Sequence, residues 1–244
     1  MTGDWLEEAT RACGLAAPTQ FPRDLLGELP WSPLLVEAVA LPQLTPEVMR
    51  DWLQRRGIRH PAGEDSRELR GCMVADRGRG ILFYDNTQGR NETRFTIAHE
   101  LSHFVLEQWL PRRKAVRVFG ESILPVLDGD REPTDDEVVT ALFERVPLQN
   151  ARSLMGRDAS GLLTRREVLE AEHHADLLAL ELLAPAALAA PLVSDALPDN
   201  EVQGRLVFRF GLPWDMAESY VLRLRRRLGI PRFSIDQFLG VDGE

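Results

Sequence analysis

Apolar positions change their period from segment to segment along this chain, and each period predicts an element. Thr45-Pro46-Glu47 supplies a capping hydroxyl and a proline at a first helical position, and Gly57 supplies a stop, so a helix is expected between them. From about Leu69 the pattern becomes two short apolar runs, Gly71–Ala75 and Gly80–Tyr84, separated by Asp76-Arg77-Gly78-Arg79. That turn chemistry predicts a β-hairpin or two neighbouring strands of a small sheet. After Asp85-Asn86-Thr87-Gln88-Gly89, an apolar-rich helix is expected from about Thr93 to Trp109, stopped by Pro111.

A connection of about 50 residues follows, with a capping box at Thr134-Asp135-Asp136-Glu137 that predicts a helix inside it. Its length points to an insertion with its own role, or to mobility. A second capping box, Thr164-Arg165-Arg166-Glu167, opens a helix expected to run through Leu183 to Pro185. Two further helices are expected, about Asn200 to Phe210 and on to Leu228, with Gly211-Leu212-Pro213 between them and Gly229 beyond. Helix, short turn, helix is the outline of a helix-turn-helix. The chain therefore reads as mainly helical α+β with a small β-sheet. A helical lead-in covers 1–66, a core covers 67–192 with an insertion at about 111–163, and a C-terminal helix-turn-helix-like segment covers 193–244.

Composition narrows the function classes. With 244 residues and 44% hydrophobic content, one substantial core is affordable within the chain's length. The acidic start Met-Thr-Gly-Asp-Trp-Leu-Glu-Glu lacks a secretory pattern, so a cytoplasmic location is expected. The most apolar stretch, about Ala175 to Val193, is interrupted by Asp176, Glu181, Pro185 and Pro191 and reads as a buried helix rather than a membrane span. Cys13 and Cys72 have no paired spacing, which argues against a disulfide framework and a thiolate zinc knuckle. The net charge of −9 argues against a surface dominated by nucleic acid, and only Lys114 among the 29 basic residues is lysine.

The chemistry concentrates in two places. His99-Glu100-Leu101-Ser102-His103 sets two imidazoles four residues apart, so on a helix both rings project from one face and can grip one ion. Zinc takes four tetrahedral ligands, one of them water in a catalytic site, so a third protein ligand is required. The cluster Glu170-Ala171-Glu172-His173-His174-Ala175-Asp176 on the later helix offers it. Glu172 is the preferred ligand, with Asp176 one turn on to orient a histidine. His174 is the rival ligand and Glu170 a weaker one, while His173 reads as a solvated side chain. Glu100 is the candidate base that takes a proton from zinc-bound water and passes it to a leaving amine, which is peptide hydrolysis. Tyr84, His173 and His174 are candidate oxyanion donors by position only.

These residues resemble a known group. Arg94-Phe95-Thr96-Ile97-Ala98-His99-Glu100-Leu101-Ser102-His103 is similar to the R-F-T-x-A-H-E-x-G-H segment of the ImmA/IrrE-type metallopeptidases. Ala175-Asp176-Leu177-Leu178-Ala179-Leu180-Glu181-Leu182-Leu183-Ala184-Pro185 is similar to their A-[DN]-x-F-A-x-E-L-L-M-P, with the acidic ligand matching Glu172. Ile81-Leu82-Phe83-Tyr84-Asp85 and Phe208-Arg209-Phe210-Gly211-Leu212 also resemble their counterparts, so the likeness spans roughly residues 40–230. The departures are Ser102 for glycine, Leu178 for phenylalanine, Ala184 for methionine, and the long segment between the helices. The resemblance implies a zincin-like core with one zinc ion, and a cognate helix-turn-helix repressor as substrate in a stress, DNA-damage or mobile-element response. DNA contact through Arg205, Arg209, Arg223, Arg225, Arg226 and Arg227 is the lesser expectation, since these side chains also suit a solvated face. Two other readings compete with the enzyme: a zinc-containing regulatory protein that binds a repressor or DNA without cutting, and a latent site whose open position is filled by Cys72 or an acid from the insertion.

Overall fold

The computed structural model describes residues 4–58, 67–148, 165–194 and 196–230. In chain order the elements are α1 (Asp4–Ala12), a short α2 (Leu25–Glu28), β1 (Val36–Leu41), α3 (Pro46–Arg55), β2 (Gly71–Asp76), β3 (Arg79–Asp85) and α4 (Arg90–Phe104). There follow a wide turn at Val105–Trp109, α5 (Leu110–Phe119), a short α6 (Leu124–Leu127), α7 (Asp135–Glu144), α8 (Arg165–Leu183), a short α9 (Ala186–Ala189), α10 (Asp199–Phe210) and α11 (Trp214–Leu228). The fold is mainly helical α+β with a small mixed sheet of three strands in the order β1-β3-β2.

β2 and β3 form the expected hairpin, antiparallel with Met73 opposite Leu82 and Cys72 opposite Phe83. Arg77 and Gly78 both have positive φ, the tight turn whose twist matches that of the flanking strands. The period of two sorts the strand residues between two layers. Met73, Ala75 and Leu82 face the main core with Ile97, Leu101 and Phe104 of α4. Cys72, Val74 and Phe83 face the other way, against Leu44, Met49 and Leu53 at and within α3. β1 pairs with β3 in parallel and lies within the stretch read as a helical lead-in. Its run Val36-Glu37-Ala38-Val39-Ala40-Leu41 is rich in alanine, which weakens the strand pattern.

α4 packs along α8, and α10 and α11 close the same core through Val202, Leu206, Phe210, Val221 and Leu224. Thr45 caps α3 and Thr134 caps α7 with a full capping box, as their sequences predict. Thr164, the cap expected for α8, lies outside the described residues, as do the rest of the insertion from 149 and the end of the C-terminal segment from 231. The apolar stretch from Ala175 is two helical pieces bent by 60° at Pro185, rather than one helix. Among the described residues no single helix is long and apolar enough to cross a membrane.

Pro111 does not end the helix that begins at α4. The chain stays helical into α5, because the turn at Val105–Trp109 widens and Leu110 N–H bonds the carbonyl of Val105, five residues back. A proline cannot fit a regular α-turn, where its ring meets the carbonyl four residues earlier; a wide turn shifts that carbonyl aside. The insertion thus begins as a continuation of the α4 rod. It closes a satellite core of Ala115, Ile123, Val126 and Val146.

Candidate metal centre

His99 and His103 lie on the side of α4 that faces α8, and Glu172 comes from α8 itself. His99 Nε2 and His103 Nε2 are 3.2 Å apart. Glu172 Oε2 is 3.3 Å from the first and 3.6 Å from the second. Tetrahedral ligands at about 2.0–2.2 Å from a zinc ion stand about 3.3–3.6 Å from each other, so the three atoms come close to one face of such a tetrahedron. These residues are the group that could bind a metal ion among the described residues. Asp176 and His174, both considered alongside Glu172, have other places. Asp176 accepts from His99 Nδ1 at 3.0 Å. His174 turns away and packs on Trp5, ring centroids 4.5 Å apart.

Both imidazoles are therefore held by a carboxylate on the far nitrogen. His103 Nδ1 donates to Glu107 Oε1 at 2.6 Å, from within the wide turn. With each Nδ1 proton committed outward, both Nε2 lone pairs and the Glu172 carboxylate converge with no donor between them, an arrangement that calls for a cation. Without a metal, protons fill that role. Burial disfavours a charged His99, yet Asp176 and Glu172 outweigh it and lift its pKa to about 9. Burial likewise opposes charge on His103, and Glu107 and Glu172 lift it to about 10. Hydrogen bonds from His103 and His99 hold the Glu172 carboxyl well below the usual carboxylate range.

Glu100 is 4% exposed. Burial pushes its pKa up, against the pull of both histidines and the Met73 backbone N–H. Its Oε2 is buried and has no hydrogen-bond partner. The strand β2 comes close to it: a Cβ at Gly71 would meet Thr96 Cγ2 at 2.5 Å and Glu100 Cγ at 2.9 Å. Ser102, where the resembled segment has glycine, is fully buried and donates to the Ala98 carbonyl at 2.7 Å, so its hydroxyl is satisfied within α4.

Of the remaining residues singled out from the sequence, Tyr84 pairs across the hairpin with Gly71, the residue that lies against Glu100. Tyr84 sits half-buried on β3 against the main core. Cys72 packs on the α3 side of the sheet, and burial pushes its thiol up to about 12. His173 Nε2 accepts from Arg223 at 3.4 Å, and Glu170 accepts from Arg166 at 2.9 Å on an exposed face. Of the C-terminal arginines, Arg205 pairs with Glu201, and Arg225 is buried against Asp199 and the Leu197 carbonyl. Glu107 was missed by the sequence reading, although it stands four residues after His103, the spacing that had singled out Asp176 after Glu172. Comparisons of the chain with protein-family models, with curated proteins and with solved structures find no match.

Proposed function

We propose that this protein is a zinc-dependent, site-specific endopeptidase of the ImmA/IrrE type, with a zincin-like core. The observation that carries the reading is the triangle of His99 Nε2, His103 Nε2 and Glu172 Oε2 with the buried carboxylate of Glu100 beside it. Two histidines and one carboxylate leave a fourth tetrahedral position open, which separates a catalytic donor set from a closed structural one. When bound, zinc supplies Lewis acidity that makes a water acidic near neutral pH and polarises a carbonyl.

The chain's own residues supply the rest. Glu100, its pKa raised by burial, is suited to take a proton on Oε2 and hand it to the leaving amine. Asp176 and Glu107 hold the ligand rings in the tautomer that presents Nε2. Among the described residues β2 is an edge strand, and its Met73 N–H donates to Glu100, so an extended substrate segment laid along that edge would pass the base. A repressor with helix-turn-helix architecture is the substrate that the sequence resemblance suggests. DNA contact by α10 and α11, the helix-turn-helix-like pair, stays the lesser reading: Arg225 is buried against Asp199, while Arg209, Arg226 and Arg227 are exposed.

The test is incubation of the full chain, zinc-loaded, with helix-turn-helix repressors from the same genome. The parent chain is expected to cut at one site. Glu100→Gln is expected to keep its zinc and lose at least 10²-fold in rate, the low end of general-base effects. Equal cleavage by Glu100→Gln, or none by the zinc-loaded parent, overturns the reading.

A further inference from the structure

We propose that Glu107 is the positioning residue for His103, placed by the wide turn at Val105–Trp109, and that the metal affinity of the centre depends on it. The inference rests on the reading of His99, His103 and Glu172 as a metal site. It adds that the start of the insertion is part of that site's support.

His103 is the most enclosed of the three ligands, with its side chain 3% exposed, and Glu107 beside it is 21% exposed. The 2.6 Å contact between them is thus shielded from water, where a charge-assisted hydrogen bond is short and strong. Asp176, which holds His99, does the corresponding work from α8. His103 instead draws its carboxylate from its own helical rod. The turn that carries Glu107 is not a regular α-turn: its backbone bond closes one residue late, at Leu110 to Val105. Closing late rotates the side chains of the turn about the helix axis, and the requirement for it is Pro111.

The turn is held on both sides. Val105 is fully buried in the main core. Trp109 Nε1 donates to the Ala12 carbonyl of α1 at 3.1 Å, and its ring stacks on Phe104 with centroids 6.5 Å apart. Glu107 is therefore fixed in place before any metal arrives. Without it, His103 is free to move its proton to Nε2 or to rotate, and either change removes the lone pair from the site.

Zinc affinity of the full chain, measured by competition with a chromophoric chelator, tests this. Glu107→Ala is expected to bind zinc about 10–100-fold more weakly than the parent, the usual cost of losing such a partner. Glu107→Gln, which keeps the acceptor and loses the charge, should fall between the two, with far-UV circular dichroism of all three metal-free chains alike. Should Glu107→Ala fail to fold, Glu107→Asp replaces it, and weaker binding than the parent is again expected. Cobalt(II) bound in place of zinc should show an altered visible spectrum in the same variants, a signature that loss of fold stability alone does not produce. Parent-like affinity and spectra in every variant overturn the proposal and leave the three ligands standing. A parent chain that binds no zinc contradicts the site itself.

Discussion

His99 and His103 act on the whole protein through protons as well as through the metal proposed for them. In the metal-free chain their pKa values, about 9 and about 10, lie above the ordinary 6.5 of an unfolded chain. The charged rings therefore favour the fold, fully below about pH 6.5, and that contribution is lost as pH rises through 9 to 10. Glu172 has the opposite sign: its folded pKa is depressed, so its contribution is present above its ordinary 4.5 and is lost as pH falls. Chelator-treated protein is thus expected to melt at progressively lower temperature between pH 7 and 10. Zinc affinity is expected to rise over the same range, because the metal displaces those protons. A melting temperature independent of pH over that range in the metal-free chain would mean that the rings do not share the carboxylates seen here. At this scale the sequence was informative wherever helical spacing decides. His99, His103 and Asp176 follow from steps of four, whereas the choice between Glu172 and His174 needed the packing of α4 on α8 and of Trp5 on His174.

The elements that position the site meet where β2 crosses α4. Gly71 has no room for a side chain there, since a Cβ would press on Thr96 and on the Glu100 methylene. If Glu100 is the base, as proposed, Gly71→Ala keeps zinc but lowers the rate about 10–100-fold by shifting it, as displacements of about 1 Å do. Unchanged kcat in that variant would place the base elsewhere. The hairpin, the caps at Thr45 and Thr134, and α10 and α11 were legible in the sequence because each rests on local chemistry. β1 was not, because a parallel partner is set by a distant strand and its alanines carry little pattern. The continuation past Pro111 was not legible either. A proline reads as a stop unless the turn before it can widen, and that depends on what Val105 and Trp109 pack against.

At the scale of the whole molecule, the metal is expected to act as a clamp between α4 and α8, two helices that come from distant parts of the sequence. Binding to the folded chain alone stabilises it by about 2.7 kcal/mol at a free concentration a hundred times the dissociation constant. For a chain of this size that raises the melting temperature by roughly 5–11 °C, and chelation should reverse it. No shift on adding or removing zinc would show that the two helices are not joined through an ion. The substrate of the proposed peptidase belongs to this scale too and is the least legible, because a partner is recognised by surfaces rather than by local spacing. The most direct measurement is the zinc content of the purified full chain, by elemental mass spectrometry, set beside His99→Ala, His103→Ala and Glu172→Ala. One zinc per parent chain, falling to a small fraction in each variant, is the predicted result. A parent chain without zinc after zinc loading, or variants that retain a full equivalent, would contradict it.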